Sequence, residues 1–148
     1  MSSFADFALL PSLQTTLVEQ GLVTPTEIRA RAIPELLEGR SLVGIAETGS
    51  GKTLSYVLPL LHWLKTLEDD GSPVEAAAQP RAAVIVPSRE LGDQVSRVFK
   101  TFTHGTRLRV RTVLGRTTME VARRNVGNPF EVLVATPGAS SSSWTSAW

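Results

Sequence analysis

The sequence predicts an α/β fold, a mostly parallel sheet with helices on both faces. Three observations support it. Short strand-like runs over residues 42–46, 82–86, 107–114 and 130–136 alternate with longer stretches of helical periodicity, and such alternation implies parallel strands joined by crossover helices, with ligands at the strand C-terminal ends. The first of these runs feeds the stretch Ala46-Glu47-Thr48-Gly49-Ser50-Gly51-Lys52-Thr53, and a helical pattern begins at Leu54. Finally, 148 residues at 42% hydrophobic composition suffice for one packed core and are too few for a two-domain enzyme.

Taken in order, Leu10, Leu13 and Leu17 recur at helical spacing behind Pro11, and Gly21 stands where a helix C′ glycine belongs, which predicts a short docking helix. Thr24-Pro25-Thr26-Glu27 reads as a capping box with proline at the first helical position, so a second helix is expected over 25–32. Pro34 should end or kink it, with a further turn over 35–38 closed by Gly39. Residues 42–46 then form a buried strand leading into the glycine-rich loop. Beyond the loop, Leu54, Val57, Leu58, Leu61 and Leu64 share one helical face, and Pro59 predicts a kink near Ser55 because it removes a backbone donor.

Residues 68–79 turn acidic and rich in glycine, proline and alanine, the composition of a surface connection. Asp69-Asp70 is better read as a solvated helix end than as a metal-binding pair, since no buried strand precedes it. The second strand, 82–86, runs into Pro87-Ser88-Arg89-Glu90-Leu91, and Leu91, Val95, Val98, Phe99 and Phe102 make an amphipathic helix with Ser88 as N-cap. A third strand follows over 107–114, then a helix capped by Thr117 and Glu120 and ending near Gly127, then a fourth strand over 130–136.

Residues 46–53 have the composition of a phosphate-binding loop. Glycines let backbone N–H groups turn inward around an anion, and the helix behind them adds its positive end. Lys52 supplies a mobile cation for the β- and γ-phosphates, and the Thr53 hydroxyl is placed to ligand Mg²⁺. The plainer alternative, a Gly/Ser turn that merely starts a helix, fits the strand-loop-helix context less well. Net charge is only +1, so the total does not demand nucleic acid. Arg107, Arg109, Arg111, Arg116, Arg123 and Arg124 nevertheless crowd one region, as a basic surface or a solvated charged face. The chain has no cysteine, which excludes disulfides and thiolate metal sites. Neither a signal peptide nor a membrane-length apolar run is visible, so a cytoplasmic protein without a membrane partner is expected.

Four ordered stretches resemble the front part of a DEAD-box ATP-dependent RNA helicase. Phe4, Gly21, Pro25, Thr26 and Ile28 sit as in that family's Q motif with its upstream aromatic, and residues 46–53 are similar to its motif I. Pro87-Ser88-Arg89-Glu90-Leu91 resembles motif Ia, usually Pro-Thr-Arg-Glu-Leu, and Thr136-Pro137-Gly138 resembles the start of motif Ib. The likeness, running from Phe4 to Gly138, implies an incomplete RecA-like P-loop NTPase fold, the first such domain of two, with ATP and Mg²⁺ as ligands and RNA as substrate. Residues 1–40 would be the Q-motif helical region, 41–138 the partial ATP-binding domain and 139–148 a disordered Ser/Trp tail. Lys52 and Thr53 would take the catalytic positions, Thr53 holding Mg²⁺. Phe4, Thr26, Arg29, Ala46, Thr48, Gly49, Ser50 and Gly51 would join them in nucleotide binding, while Pro87, Ser88, Arg89, Glu90, Gly115, Thr136, Pro137 and Gly138 would face RNA.

Departures from the family pattern carry as much information. Arg29 occupies the place of the adenine-reading glutamine. Glutamine both accepts and donates on the adenine edge, whereas arginine only donates; a bidentate base contact is worth roughly 1–3 kcal/mol of discrimination. Loss of adenine selectivity, or a lean toward GTP, is the resulting expectation, against the alternative that Arg29 points to solvent. Arg116 follows Gly115 where the family often has a second glycine, and Ala139 replaces the arginine that closes motif Ib. The family's Asp-Glu-Ala-Asp does not occur in these 148 residues, so phosphate binding without hydrolysis is expected, because phosphoryl transfer depends on electrostatic positioning. A sheet lacking its later strands would leave apolar edges uncovered, giving a marginal domain. Two function classes follow: a fragment of an ATP-dependent RNA helicase, or a non-catalytic nucleotide- or RNA-binding remnant. A GTPase would want Asn-Lys-x-Asp, and the chain has none.

Overall fold

The structure, a computed structural model, describes residues 3–138. After a 3-10 turn, Phe4–Asp6, the elements are α1 (Pro11–Glu19), α2 (Glu27–Leu37), α3 (Lys52–Asp69), β1 (Ala82–Ile85), α4 (Arg89–Thr106), β2 (Val110–Val113), α5 (Met119–Val126) and β3 (Val132–Ala135). The tail expected over 139–148 lies outside the described residues. Among those residues the strands form one parallel sheet in the order β1-β3-β2, with Val132 opposite both Ala82 and Val110.

The central strand explains the layering. Every residue of β3 is buried, as a strand covered on both faces requires. Val132 and Val134 join Leu58, Leu61, Val95, Phe99 and Leu13 in the main core beneath α1, α3 and α4, while Leu133 and Ala135 pack with Phe130 and Ala122 beneath α5. The alternation follows from the two-residue period of a strand. Gly92 allows α4 to settle on the sheet, for a Cβ there would lie 2.4 Å from Leu114 Cδ2. Capping sharpens the helix starts: Ser88 Oγ accepts from Leu91 N–H at 3.2 Å, and Thr118 Oγ1 from Val121 N–H at 3.4 Å.

Several local expectations change. Of the expected strands, 42–46 is not formed: the segment is irregular, with Val43 87% and Ile45 93% exposed. A strand exists through its neighbours' hydrogen bonds, and among the described residues none lies beside this one. It runs along α2 instead, where a Cβ on Gly44 would come 3.7 Å from Ile28 Cδ1. Pro34 does not end α2, which continues to Leu37. The supposed capping box also fails, since Thr26 is the N-cap and makes no side-chain cap bond. Strands β1, β2 and β3 are each shorter than the ranges expected for them; before β2, Arg107 adopts a left-handed φ of 60° as the C-cap of α4. Thr118, rather than Thr117, caps α5.

Three of the clustered arginines can be placed individually. Arg109 turns to Glu131 at the N-terminal edge of the sheet and Arg124 to Glu120 on α5, while Arg116 follows the opposite end of β2. Strand β2 thus separates Arg109 from Arg116.

Candidate nucleotide site and sheet edge

The loop ahead of α3 is built by backbone conformations that its glycines permit. Gly49 has φ 81° and Gly51 φ 86°, left-handed values at which a Cβ is strained. Ser50 N–H donates to Glu47 O at 3.2 Å, closing the turn, and Gly51 is the N-cap of α3. No side chain caps this helix, so its first N–H groups are open to an anion, reinforced by the helix dipole. Lys52 and Thr53 occupy the first turn. Lys52 Nζ donates to the carbonyls of Ala46 and Glu47, bonds within the loop that a phosphate could replace. Tyr56 stands one turn on, its hydroxyl pKa raised by burial and partly lowered by a hydrogen bond with Thr53.

The expected nucleotide residues divide between two cavities. One, of about 610 Å³, is lined by Arg29, Thr48, Gly49, Gly51, Lys52 and Thr53. The other, of about 710 Å³, lies between α2 and residues 42–47 and takes Thr26, Ala46 and Ser50. Phe4 lines neither: it is buried in the core, edge-on to Phe7 with ring centroids 5.9 Å apart, and pinned by a bond from its N–H to Val23 O at 3.0 Å. Sequence reasoning missed Gln20, Leu22, Gln94 and Phe102, which complete the first cavity from α1, its following turn and α4. No local pattern marks them, because tertiary packing alone brings them there.

Arg29 does not point to solvent. Its Nε donates to Gly51 O at 3.0 Å, and a Cβ built on Gly51 would lie 2.5 Å from its Nη2. Burial lowers its pKa from the usual guanidinium value. The guanidinium therefore rests on the N-cap of α3.

The residues expected to face RNA gather where parallel strands end. Pro87, Ser88, Arg89 and Glu90 follow β1, Gly115 follows β2, and Thr136, Pro137 and Gly138 follow β3. Arg89 Nη1 donates to Gly115 O at 2.9 Å, tying two of these turns together. Thr136 is buried with its Oγ1 unpartnered. Arg116 has φ 69°, which explains the glycine preferred there in the resembling family. Arg116→Gly should remove that strain and, after the added unfolded-state entropy, stabilise the chain by roughly 0.5–1 kcal/mol. A thermal melt would register this as an upward shift, and an unchanged or lower midpoint would contradict it.

A parallel sheet flanked by helices, with a left-handed glycine turn starting the helix behind the first loop, defines an incomplete RecA-like α/β fold. A profile of the DEAD/DEAH box helicase family matches residues 26–147. The chain belongs to that family. It is 37% identical over 136 residues to "ATP-dependent RNA helicase DBP10" of Candida albicans, covering 92% of this chain and 14% of that protein. It is 44% identical over 142 residues to human "Probable ATP-dependent RNA helicase DDX28", covering 93% of this chain and 26% of that protein. Among solved structures it is similar to one titled "Crystal structure of hypothetical ATP-dependent RNA helicase from Sulfolobus tokodaii", with TM-score 0.77 and 27% identity, covering 91% of this chain and 36% of that one. The chain thus spans 14% and 26% of these two curated relatives. Among the described residues, no helix is long and apolar enough to cross a membrane, and no group of three or more His, Asp or Glu is placed to hold a metal.

Proposed function

We propose that this chain binds a nucleoside triphosphate with Mg²⁺ at the Gly49–Thr53 loop and RNA along the C-terminal edge of the sheet, as part of an ATP-dependent RNA helicase motor. The observation that carries this is the left-handed Gly49/Gly51 turn at the uncapped start of α3, with Lys52 and Thr53 in the first turn. The loop fits a polyphosphate: nothing lies within 4 Å of a Cβ built on Gly49, leaving open space over the turn, and Ser50 Oγ is buried without a partner. Lys52 would exchange the Ala46 and Glu47 carbonyls for phosphate oxygens, and Thr53 would supply a hydroxyl to the metal. Bound Mg²⁺ neutralises phosphate charge. Arg89 and the Ser88 hydroxyl, at the turn after β1, would hold the RNA backbone, contacts that position a strand without reading its bases.

A second reading, nucleotide and RNA binding without turnover, is favoured for these 148 residues by themselves, since they contain no Asp-Glu-Ala-Asp. Titration of the purified chain with a fluorescent triphosphate, with and without single-stranded RNA, tests both. Saturable Mg²⁺-dependent nucleotide binding is expected, together with RNA binding weakened by Arg89→Ala and by salt, and no phosphate release. RNA-stimulated turnover abolished by Lys52→Ala would establish the catalytic reading for the chain alone. Failure to bind either ligand would remove both.

A further inference from the structure

The cavity beside the phosphate loop has one feature the P-loop pattern does not supply. It contains two cationic side chains, Lys52 and Arg29, and no carboxylate among its lining residues. Arg29 also makes none of the ion pairs found among the described residues. Its neighbours in α2 behave differently: Arg31 pairs with Glu27 at 3.6 Å and, together with Glu27 and Glu35, lines the other cavity. A half-buried guanidinium held only by a carbonyl lacks a counter-charge, and an anion arriving at the helix start would provide it. Arg29 is absent from the lining of the cavity that takes Thr26 and Ala46.

We propose that Arg29 is a phosphate ligand rather than a reader of the base: with Lys52 it clamps the polyphosphate at the start of α3, so that this site binds nucleoside triphosphates largely irrespective of their base. The inference rests on the phosphate-loop reading above and adds a second cation to it. Arginine suits the role because its planar fork can keep one N–H on Gly51 O while offering others to phosphate oxygens. It also changes what the departure from glutamine means. The substitution moves an interaction from the variable end of the nucleotide to its invariant end.

The experiment compares ATP, GTP, CTP, UTP and inorganic tripolyphosphate, each with Mg²⁺, by calorimetric titration of the 148-residue chain and its Arg29→Gln, Arg29→Lys and Lys52→Ala variants, with circular dichroism checking the fold of each. Wild type should bind the four nucleotides within about threefold of one another. Arg29→Gln should weaken all five ligands about tenfold, tripolyphosphate included, as loss of a charge-assisted contact predicts, and Arg29→Lys should recover part of that loss. If Arg29→Gln leaves tripolyphosphate unchanged while shifting the ATP-to-GTP ratio, Arg29 reads the base and the inference is wrong. Should Arg29→Gln alone disturb the fold, the charge-retaining Arg29→Lys decides, since unchanged tripolyphosphate affinity there with a changed base ratio has the same meaning. Binding that ignores Lys52→Ala would instead overturn the phosphate-loop reading itself.

Discussion

If the proposed nucleotide site is right, Lys52→Ala should weaken nucleoside triphosphate binding by roughly ten- to a hundredfold while leaving the melting temperature nearly unchanged. The affinity loss follows from removing a charge-assisted phosphate contact, worth about 1.5–3 kcal/mol. The small stability effect follows from position. Lys52 is exposed in the first turn of α3 and bonds only the carbonyls of Ala46 and Glu47, groups that water can serve equally well. Two further signatures separate this from a general disturbance. Residual binding in the variant should depend less on salt, because one of two cations has gone, and the α-helical circular dichroism should stay intact. Titration calorimetry and a thermal melt on the same samples decide it; equal affinities, or a midpoint that collapses with the affinity, would refute the role assigned to Lys52.

How much of this was legible in advance depends on how local each feature is. The left-handed glycine turn at Gly49 and Gly51, α3, α4 and the Ser88 cap were readable because glycine φ, helical periodicity and capping are decided within a few residues. Residues 42–46 were misread for the opposite reason. Their apolar run is a genuine strand signal, yet a strand needs a partner ladder, and none beside it is among the described residues. The far edge of β1 tells the same story, with Ala83 and Ile85 exposed beside an apolar groove lined by Tyr56, Leu60 and Trp63. Pro34 shows that tertiary support can override a breaker, since α2 packs closely on α3 and continues past it. Motif spacing put Lys52 and Thr53 in the first turn of α3, where they lie. The direction of the Arg29 side chain and the contributions of Gln20, Gln94 and Phe102 depended on how α1, α2 and α4 come together, information that no single stretch of sequence carries. Phe4 is a related case: an aromatic residue at the right distance from a motif, packed into the core.

Arg109→Ala should destabilise the fold by about 2–4 kcal/mol, the largest effect expected from any surface-reaching side chain here. Glu131 immediately precedes the central strand and is 3% exposed at its side chain, against 41% for Arg109. Its backbone already joins all three strands: its carbonyl accepts from Arg81 and Ala82 N–H at 3.1 Å, and its N–H donates to Arg109 O at 2.9 Å. The carboxylate adds the backbone N–H of Arg109 at 2.5 Å and the guanidinium through Nη2 at 2.6 Å and Nε at 3.3 Å, and Nη2 reaches Val74 O at 3.3 Å. That hydrogen bond to Glu131 is also the first cause of the raised Arg109 pKa. Removing the guanidinium leaves a carboxylate buried with one neutral donor, a situation that costs about 3–5 kcal/mol when both partners are buried and less here because Arg109 is partly solvated. Glu131→Gln retains an oxygen for the Arg109 N–H and removes the stranded charge, so Arg109→Ala/Glu131→Gln should be more stable than Arg109→Ala alone. Urea denaturation of the single and double variants measures both quantities. If the double variant proves less stable than Arg109→Ala, the buried charge is not what the guanidinium compensates, and the start of the sheet is held by its backbone bonds instead.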